Sequence, residues 1–149
     1  MPYQHCRVVR FHETDAAGVV YFANVLMLCH EAYEASLAAA GFDLGLYFSQ
    51  AGDIAVPVVH TQSDFYHPLR CGDVVTIFLT PTQLTEHSFE ISYQLYHRVQ
   101  AAIAPTQKAA AIALSRHLCI DPNVRRCQPL PPELTNWIKS LAEPAAPND

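Results

Sequence analysis

The chain has 149 residues, of which half are hydrophobic and only 15% are charged. This composition excludes a chain that is disordered throughout, and the length fits one domain with a substantial buried core. The formal net charge of −5 argues against broad nucleic-acid binding, which depends on clustered basic side chains. A locally basic pocket for an anionic small molecule stays compatible with this charge.

The sequence shows neither a membrane span nor a secretory leader. No apolar run approaches the roughly 20 residues that a membrane helix requires, and the opening residues lack the hydrophobic core of a signal peptide. The five cysteines are odd in number, scattered, and free of any Cys-x-x-Cys pair, which disfavours a zinc or thioredoxin-like site. We therefore expect a cytoplasmic protein with reduced thiols, in which Cys29 and Cys119 fill core volume.

The predicted elements follow the order β-α-(α)-β-β-β-β, with a trailing helix. A strand at residues 3–11 precedes a long helix at residues 22–40, in which apolar residues recur every three or four positions before Gly41. The other predicted elements are a short helix at residues 44–51, strands at residues 54–66, 74–82, 86–97 and 108–120, and a helix at residues 131–141. Residues 100–106 are predicted as a loop, and the Pro/Ala-rich residues 143–149 as a disordered tail.

One long helix followed by consecutive hairpin-like strands predicts an α+β fold, with an antiparallel sheet packed against the helix in a single domain spanning residues 1–142. Two details stay open. The alanines of residues 108–120 also suit a helix, and Pro57 can mark an edge or a bulge in its strand. Unless it does, Val56, Val58, His60, Gln62 and Asp64 share one strand face.

A carboxylate, a glycine turn and a predicted helix start lie close together in the sequence, at Asp15, Gly18 and Phe22. The N–H groups of a helix start are unpaired and bear a partial positive charge. An acidic side chain held beside them can attack a carbonyl carbon or activate water, while the N–H groups receive the charge that develops on oxygen. The plainer interpretation is that Asp15 is a helix cap or turn residue, although Thr14 and Asn24 can also cap.

Other chemistry-bearing residues have plainer interpretations. His30, Glu31 and Glu34 invite a metal site, but the His-Glu-x-x-His pattern is absent because position 34 is glutamate. Solvated helix-face charges or interface contacts explain them better. Cys29 has no visible His and Asn partners, so it is disfavoured as a nucleophile.

Near Asp15, His12 and Glu13 can form a supporting network, and surface arginines are candidates for contacts with phosphate groups. The arginine candidates are Arg70, Arg98, Arg116, Arg125 and Arg126.

The segment Asp-Ala-Ala-Gly-Val-Val-Tyr at residues 15–21 follows a short first strand and opens the long helix. In this segment and its position the chain resembles the hot-dog-fold thioesterases of the 4-hydroxybenzoyl-CoA thioesterase family. Within that family it is similar to the 1,4-dihydroxy-2-naphthoyl-CoA hydrolases of phylloquinone-making phototrophs. The supporting segments are residues 14–22, 29–34, 57–60, 81–84, 88–90 and 116–120.

The resemblance implies an antiparallel sheet wrapped around a central helix, in homodimers that often pair into homotetramers with active sites at the dimer interface. It implies an acyl-CoA substrate, with coenzyme A as part of that substrate, and no metal or other cofactor. Asp15 lies where the family has its catalytic carboxylate, Gly18 in the turn, and Phe22 where a backbone N–H polarises the thioester carbonyl. Relatives often have His or Tyr at this position.

The function predicted from these features is hydrolysis of an aromatic acyl-CoA thioester, with Asp15 as nucleophile or general base. Val19, Tyr47 and His60 are predicted to contact the substrate. The alternatives are a broader aromatic or short-chain acyl-CoA thioesterase, and a non-catalytic module that binds acyl-CoA or acyl-carrier protein. A hot-dog dehydratase is disfavoured, because those enzymes pair a His with an acid and position 22 is Phe.

Overall fold

The computed structural model describes residues 1–98 and 107–142. Its elements are β1 (Tyr3–Val8), a 3-10 turn (Phe11–Glu13), α1 (Phe22–Ala39), α2 (Leu44–Tyr47), β2 (Val58–Phe65), β3 (Val74–Thr85), β4 (Ser88–His97), β5 (Ala111–Leu118) and α3 (Pro132–Leu141). The predicted loop at residues 100–106 and the predicted tail at residues 143–149 lie outside the described residues. Among the described helices, none combines the length and the hydropathy needed to cross a bilayer.

The five strands form one antiparallel sheet in the order β1-β3-β4-β5-β2. Alternate side chains on the three central strands are buried, as expected for a sheet with one covered face. Those with no exposed surface include Ile77, Leu79, Phe89, Ile91 and Leu95. Helix α1 covers this face, which confirms the predicted α+β class. The order also places β1 and β2 at the two edges of the sheet.

Helix α1 runs almost as predicted and ends one residue earlier, at Ala39. Its buried residues recur at helical spacing and form one stripe against the sheet: Val25, Leu28, Cys29, Ala32, Tyr33, Ser36 and Leu37. Gly41 follows at φ +89, the left-handed conformation that glycine adopts easily after a helix. Phe22 and Met27 lie off the stripe and are each 62% exposed.

Several predicted elements are shorter in the structure. Helix α2 ends at Tyr47 instead of residue 51, and the Ser49 hydroxyl donates a hydrogen bond to the Leu46 carbonyl at 2.9 Å just beyond it. Such local bonds from serine compete with continuation of a helix. Strand β1 ends at Val8, and a 3-10 turn takes the place of the predicted strand end. Residues 108–120 form a strand, β5, which is confined to Ala111–Leu118.

Strand β2 starts only after Pro57 and contains a register shift between Val58 and His60. This bulge corrects the predicted common face: Val58 pairs with the buried His117, whereas His60 pairs with Arg116. Paired residues in an antiparallel sheet lie on the same face. His60, Gln62 and Asp64 therefore lie on the outer face, away from α1.

All five cysteines are free, and Cys29 and Cys119 are buried, which confirms their predicted role as core residues. Burial raises the pKa of the Cys29 thiol to about 12, so the thiol stays protonated at neutral pH.

A chain of polar groups crosses the core beneath α1. Tyr93 and Ser115 hydrogen-bond each other through their hydroxyls at 3.2 Å, and the Ser115 hydroxyl lies 2.8 Å from His117 Nε2. The His117 ring stacks on Phe89 with a centroid separation of 4.7 Å and is 1% exposed. Burial, with a smaller contribution from the charge on His30, lowers the pKa of His117 from 6.5 to about 4.

We predict that His117 makes the fold acid-sensitive. Below pH 6.5 the unfolded chain binds a proton on this imidazole that the folded chain excludes, so the free energy of unfolding falls as the pH drops toward 4. The loss attributable to His117 is about 2 to 3 kcal/mol. Urea unfolding across this range should show a flatter pH dependence for His117→Gln than for the natural chain.

Candidate active site

Asp15 opens a tight turn that leads into α1. Its backbone N–H donates to the Val19 carbonyl, and its carbonyl accepts the Gly18 N–H, both at 2.9 Å. One carboxylate oxygen, Oδ1, accepts the Ala17 N–H at 2.9 Å, as aspartate commonly does in turns. Gly18 adopts φ +77, a conformation that residues other than glycine rarely adopt. The motif therefore folds as a turn that holds one side of the carboxylate.

The structure excludes the capping role for Asp15. The N-cap of α1 is Tyr21, and no side chain accepts a hydrogen bond at this position. Thr14 donates instead to the Phe11 carbonyl, and Asn24 Nδ2 donates to the Glu13 carbonyl. Within residues 1–98 and 107–142, the second carboxylate oxygen of Asp15 makes no hydrogen bond, so it is available to a ligand.

The first N–H groups of α1 are also available. The Tyr21 N–H donates to the Glu13 carbonyl and the Asn24 N–H to the Tyr21 carbonyl. The Phe22 N–H lies between them and donates to no acceptor among the described residues. An unpaired N–H at the positive end of a helix is suited to stabilise an oxyanion.

Asp15, Val19 and Phe22 line one cavity of about 410 Å³. The remaining lining residues come from the start of α1, the end of β2 and the turn after it, and the start of β5: Val20, Tyr21, Val25, Phe65, Tyr66, His67, Pro68, Leu69, Ala110 and Ala111. The size and the largely apolar, aromatic lining are typical of a small-molecule site. Three of the predicted site residues therefore lie together, with a free carboxylate oxygen and a free N–H.

The segment from Phe65 to Leu69 was missed by the sequence analysis. It pairs with the helix start through the Val20 N–H, which donates to the Leu69 carbonyl at 2.7 Å. The signal available in the sequence was the aromatic pair Phe65 and Tyr66 at the end of a predicted strand, followed by His67 and Pro68.

Tyr47 and His60 do not line the Asp15 cavity. Tyr47 lines a second cavity of about 790 Å³, bounded by the end of α1, α2 and α3, and its hydroxyl hydrogen-bonds the Tyr33 hydroxyl. The charged residues of this cavity are Asp43, Asp53 and Glu133, which disfavour an anionic ligand such as coenzyme A. His60 lies on the outer face of the sheet. The structure of one chain does not bring either residue to Asp15.

The charged residues on α1 are engaged in ion pairs. His30 Nδ1 lies 3.1 Å from Glu34, one helical turn away, and Glu31 lies 2.9 Å from His5 Nε2 on β1. Glu13 is buried and paired with Arg7, whereas His12 is exposed. The Glu13 side chain bonds Arg7 and the Arg10 N–H, so among the described residues neither His12 nor Glu13 makes a side-chain hydrogen bond with Asp15.

The candidate arginines are widely spread. Arg116 pairs with Glu90 at 2.6 Å on the outer face, and Arg125 and Arg126 lie in the turn after β5. Arg70 follows Leu69 of the Asp15 cavity directly and is exposed. Arg70 is therefore a candidate whose neighbour in the chain lines the cavity.

A family model described as the thioesterase-like superfamily matches residues 9–138. The chain belongs to this superfamily. The match extends from the end of β1 into α3, and so includes the Asp15 turn and the whole of α1. It confirms the resemblance to hot-dog thioesterases found in the sequence.

Relatives and solved structures agree with this assignment. The chain is 48% identical over 134 residues to a 1,4-dihydroxy-2-naphthoyl-CoA hydrolase of Crocosphaera subtropica, covering 90% of this chain and 93% of the relative. It is 43% identical over 141 residues to a protein of the same name from Synechococcus elongatus, covering 95% of this chain and 98% of the relative. The crystal structure of Slr0204, a 1,4-dihydroxy-2-naphthoyl-CoA thioesterase from Synechocystis, superimposes with a TM-score of 0.84 at 35% identity, covering 97% of this chain and 100% of that chain.

Proposed function

We propose that this chain hydrolyses 1,4-dihydroxy-2-naphthoyl-CoA to 1,4-dihydroxy-2-naphthoate and coenzyme A, a step of phylloquinone biosynthesis. The observation that supports it is a free carboxylate oxygen on Asp15 in the same cavity as the unpaired Phe22 N–H. The names of the relatives support the choice of acyl group. The free thiols of all five cysteines agree with a reducing compartment, and we place the enzyme in the cytoplasm.

In the proposed reaction the thioester carbonyl oxygen accepts the Phe22 N–H, which stabilises the negative charge that develops on it. The free oxygen of Asp15 either attacks the carbonyl carbon or takes a proton from the water that does. The carbon–sulfur bond then breaks and coenzyme A leaves as a thiolate. After direct attack, water hydrolyses the resulting anhydride and regenerates the carboxylate. Neither route needs a metal or a redox cofactor, because the thiolate leaves readily.

The test of the reaction and its acyl group is free-thiol release across a panel of aromatic and aliphatic acyl-CoA thioesters. We expect the highest kcat/KM for 1,4-dihydroxy-2-naphthoyl-CoA, and at least a ~10²-fold lower kcat for Asp15→Asn. Asparagine keeps the acceptor for the Ala17 N–H, so the turn survives while the reactive carboxylate is lost.

Asp121→Asn is the matched control, because Asp121 Oδ1 also accepts backbone N–H groups, from Asn123 and Val124, in a turn far along the chain. Its turnover should equal that of the natural chain. Equal rates on aliphatic and aromatic thioesters would indicate the broader thioesterase. Binding of acyl-CoA without thiol release would indicate a non-catalytic binding module.

Two substitutions at position 22 separate the side chain from the backbone donor. Proline is well tolerated at the first position of a helix, and the extended backbone of Tyr21 suits a residue that precedes proline. Phe22→Pro removes the N–H and should lower kcat by roughly 10²- to 10³-fold. Phe22→Ala keeps the N–H and should act mainly on KM or stability. Equal losses of kcat in the two folded variants would contradict a role for the backbone donor.

We propose further that the chain forms a homodimer through α1 and β2, alone or paired into a homotetramer. Within the described residues no strand pairs with the outer edge of β2, and every β2 residue except Ser63 is exposed. Large apolar side chains are exposed on both elements, with Met27 on α1 and Val59 on β2. Natural proteins usually cover such an edge, and an exposed apolar surface of this kind marks an interaction site. This surface adjoins the Asp15 cavity, so a second copy would complete its wall.

Val59→Lys should shift the protein to a lower mass in sedimentation equilibrium, because it places a charge in the proposed interface. Turnover should fall with the loss of the partner. Val124→Lys adds the same charge at an equally exposed valine in the turn after β5, and should change neither mass nor turnover. A natural chain that sediments as a monomer would contradict the proposed dimer.

A further inference from the structure

Glu13 is a buried carboxylate close to the proposed catalytic turn. It is 4% exposed, and its Oε1 accepts the Arg10 N–H at 2.7 Å and pairs with Arg7. Burying an ion pair costs desolvation that its attraction seldom recovers fully, so a buried pair is weak evidence of stabilisation. Such a pair is better explained by the geometry that it fixes.

The backbone of the same residue holds the start of α1. The Glu13 carbonyl accepts the Tyr21 N–H at 3.0 Å and Asn24 Nδ2 at 2.9 Å. Tyr21 directly precedes Phe22, and Glu13 itself lies two residues before Asp15. The Asp15 turn is therefore closed at its base by a residue that is anchored to β1 through its side chain.

A second link joins β1 to α1 farther from the turn. Arg7 Nη1 lies 3.4 Å from Glu31 Oε1, and His5 Nε2 lies 2.9 Å from Glu31 Oε2. The Glu31 side chain is half exposed, whereas that of Arg7 is mostly buried. Surface pairs of this kind contribute little to stability. Arg7 therefore takes part in two pairs, a weak, half-exposed one with Glu31 and a buried one with Glu13.

We propose that Glu13 is a positioning residue, which sets the position of the Asp15 carboxylate relative to the Phe22 N–H. This inference rests on the proposed hydrolase function. Asp15 follows Glu13 by two residues, and Phe22 follows Tyr21, whose N–H donates to the Glu13 carbonyl. The side chain of Glu13 fixes this residue against β1. A shift of about 1 Å in such groups lowers turnover by roughly 10²-fold, even when the substrate still binds.

Glu13→Gln removes the charge that pairs with Arg7 but keeps an oxygen that can accept the Arg10 N–H. We expect kcat for thioester hydrolysis to fall by roughly 10- to 100-fold, with KM within about 3-fold of the natural value. Glu31→Gln is the matched control, because it weakens the half-exposed pairs of Glu31 with Arg7 and His5 and leaves the buried Arg7–Glu13 pair in place. Its kcat should stay within about 2-fold. An unchanged kcat in Glu13→Gln overturns the proposal.

Glu13→Gln also leaves Arg7 without its buried partner, which can destabilise the fold. The double variant Arg7→Met/Glu13→Gln removes that isolated charge, and the free energy of unfolding should recover. If Glu13 positions the turn, kcat stays low in this stable double variant. Recovery of kcat together with stability would show that Glu13 acts only on folding, and would overturn the proposal.

A second cycle distinguishes this inference from the proposed function. If Glu13 acts through Asp15, adding Glu13→Gln to Asp15→Asn should lower the residual rate no further. Additive losses would overturn the positioning role. Retained turnover in Asp15→Asn alone would overturn the proposed function instead. If Asp15→Asn loses turnover and Glu13→Gln keeps its natural kcat, only the inference about Glu13 is overturned.

Discussion

The packing of α1 against the covered face of the sheet is the constraint on which the site depends. Leu28 and Leu37 of the helix, like Ile77 and Leu95 of the sheet, have no exposed surface. Cores packed to this degree resist displacement of a helix, because any shift opens voids or forces overlaps. The helix axis is thereby fixed, and with it the position of the first N–H groups.

The start of that helix lacks the side-chain cap that usually stabilises such ends. A Ser, Asp or Asn cap is worth about 1 kcal/mol, yet Tyr21 occupies the position and Asn24 donates to Glu13 instead. A capping oxygen would accept the N–H of Ala23 or Asn24, and it would place a competing acceptor beside the Phe22 N–H that the proposed mechanism leaves to the thioester. The uncapped helix is therefore a loss of stability that fits the proposed reaction, a trade-off common at active sites.

Local patterns in the sequence were enough to predict α1, the three central strands and the cluster of Asp15, Gly18 and Phe22, since these residues are neighbours along the chain. Contacts between distant segments were not predictable in the same way. The bulge in β2 reverses the face on which His60 lies, and α2 directs Tyr47 into another cavity. Both outcomes depend on strand order and on packing, which periodicity does not encode. The contribution of Phe65 to Leu69 was missed for the same reason.

The exposed side of the Asp15 cavity connects the proposed chemistry to the proposed assembly. Phe22 and Phe65 line the cavity and are also among the large apolar residues that one chain leaves exposed. Phe22 begins α1, and Phe65 ends β2, which is an edge strand of the sheet. A second copy on this surface would bury apolar area and, in the same contact, exclude water from the carboxylate and the N–H. Electrostatic stabilisation of an oxyanion is stronger in such a dry site. Assembly and catalysis would then depend on the same side chains.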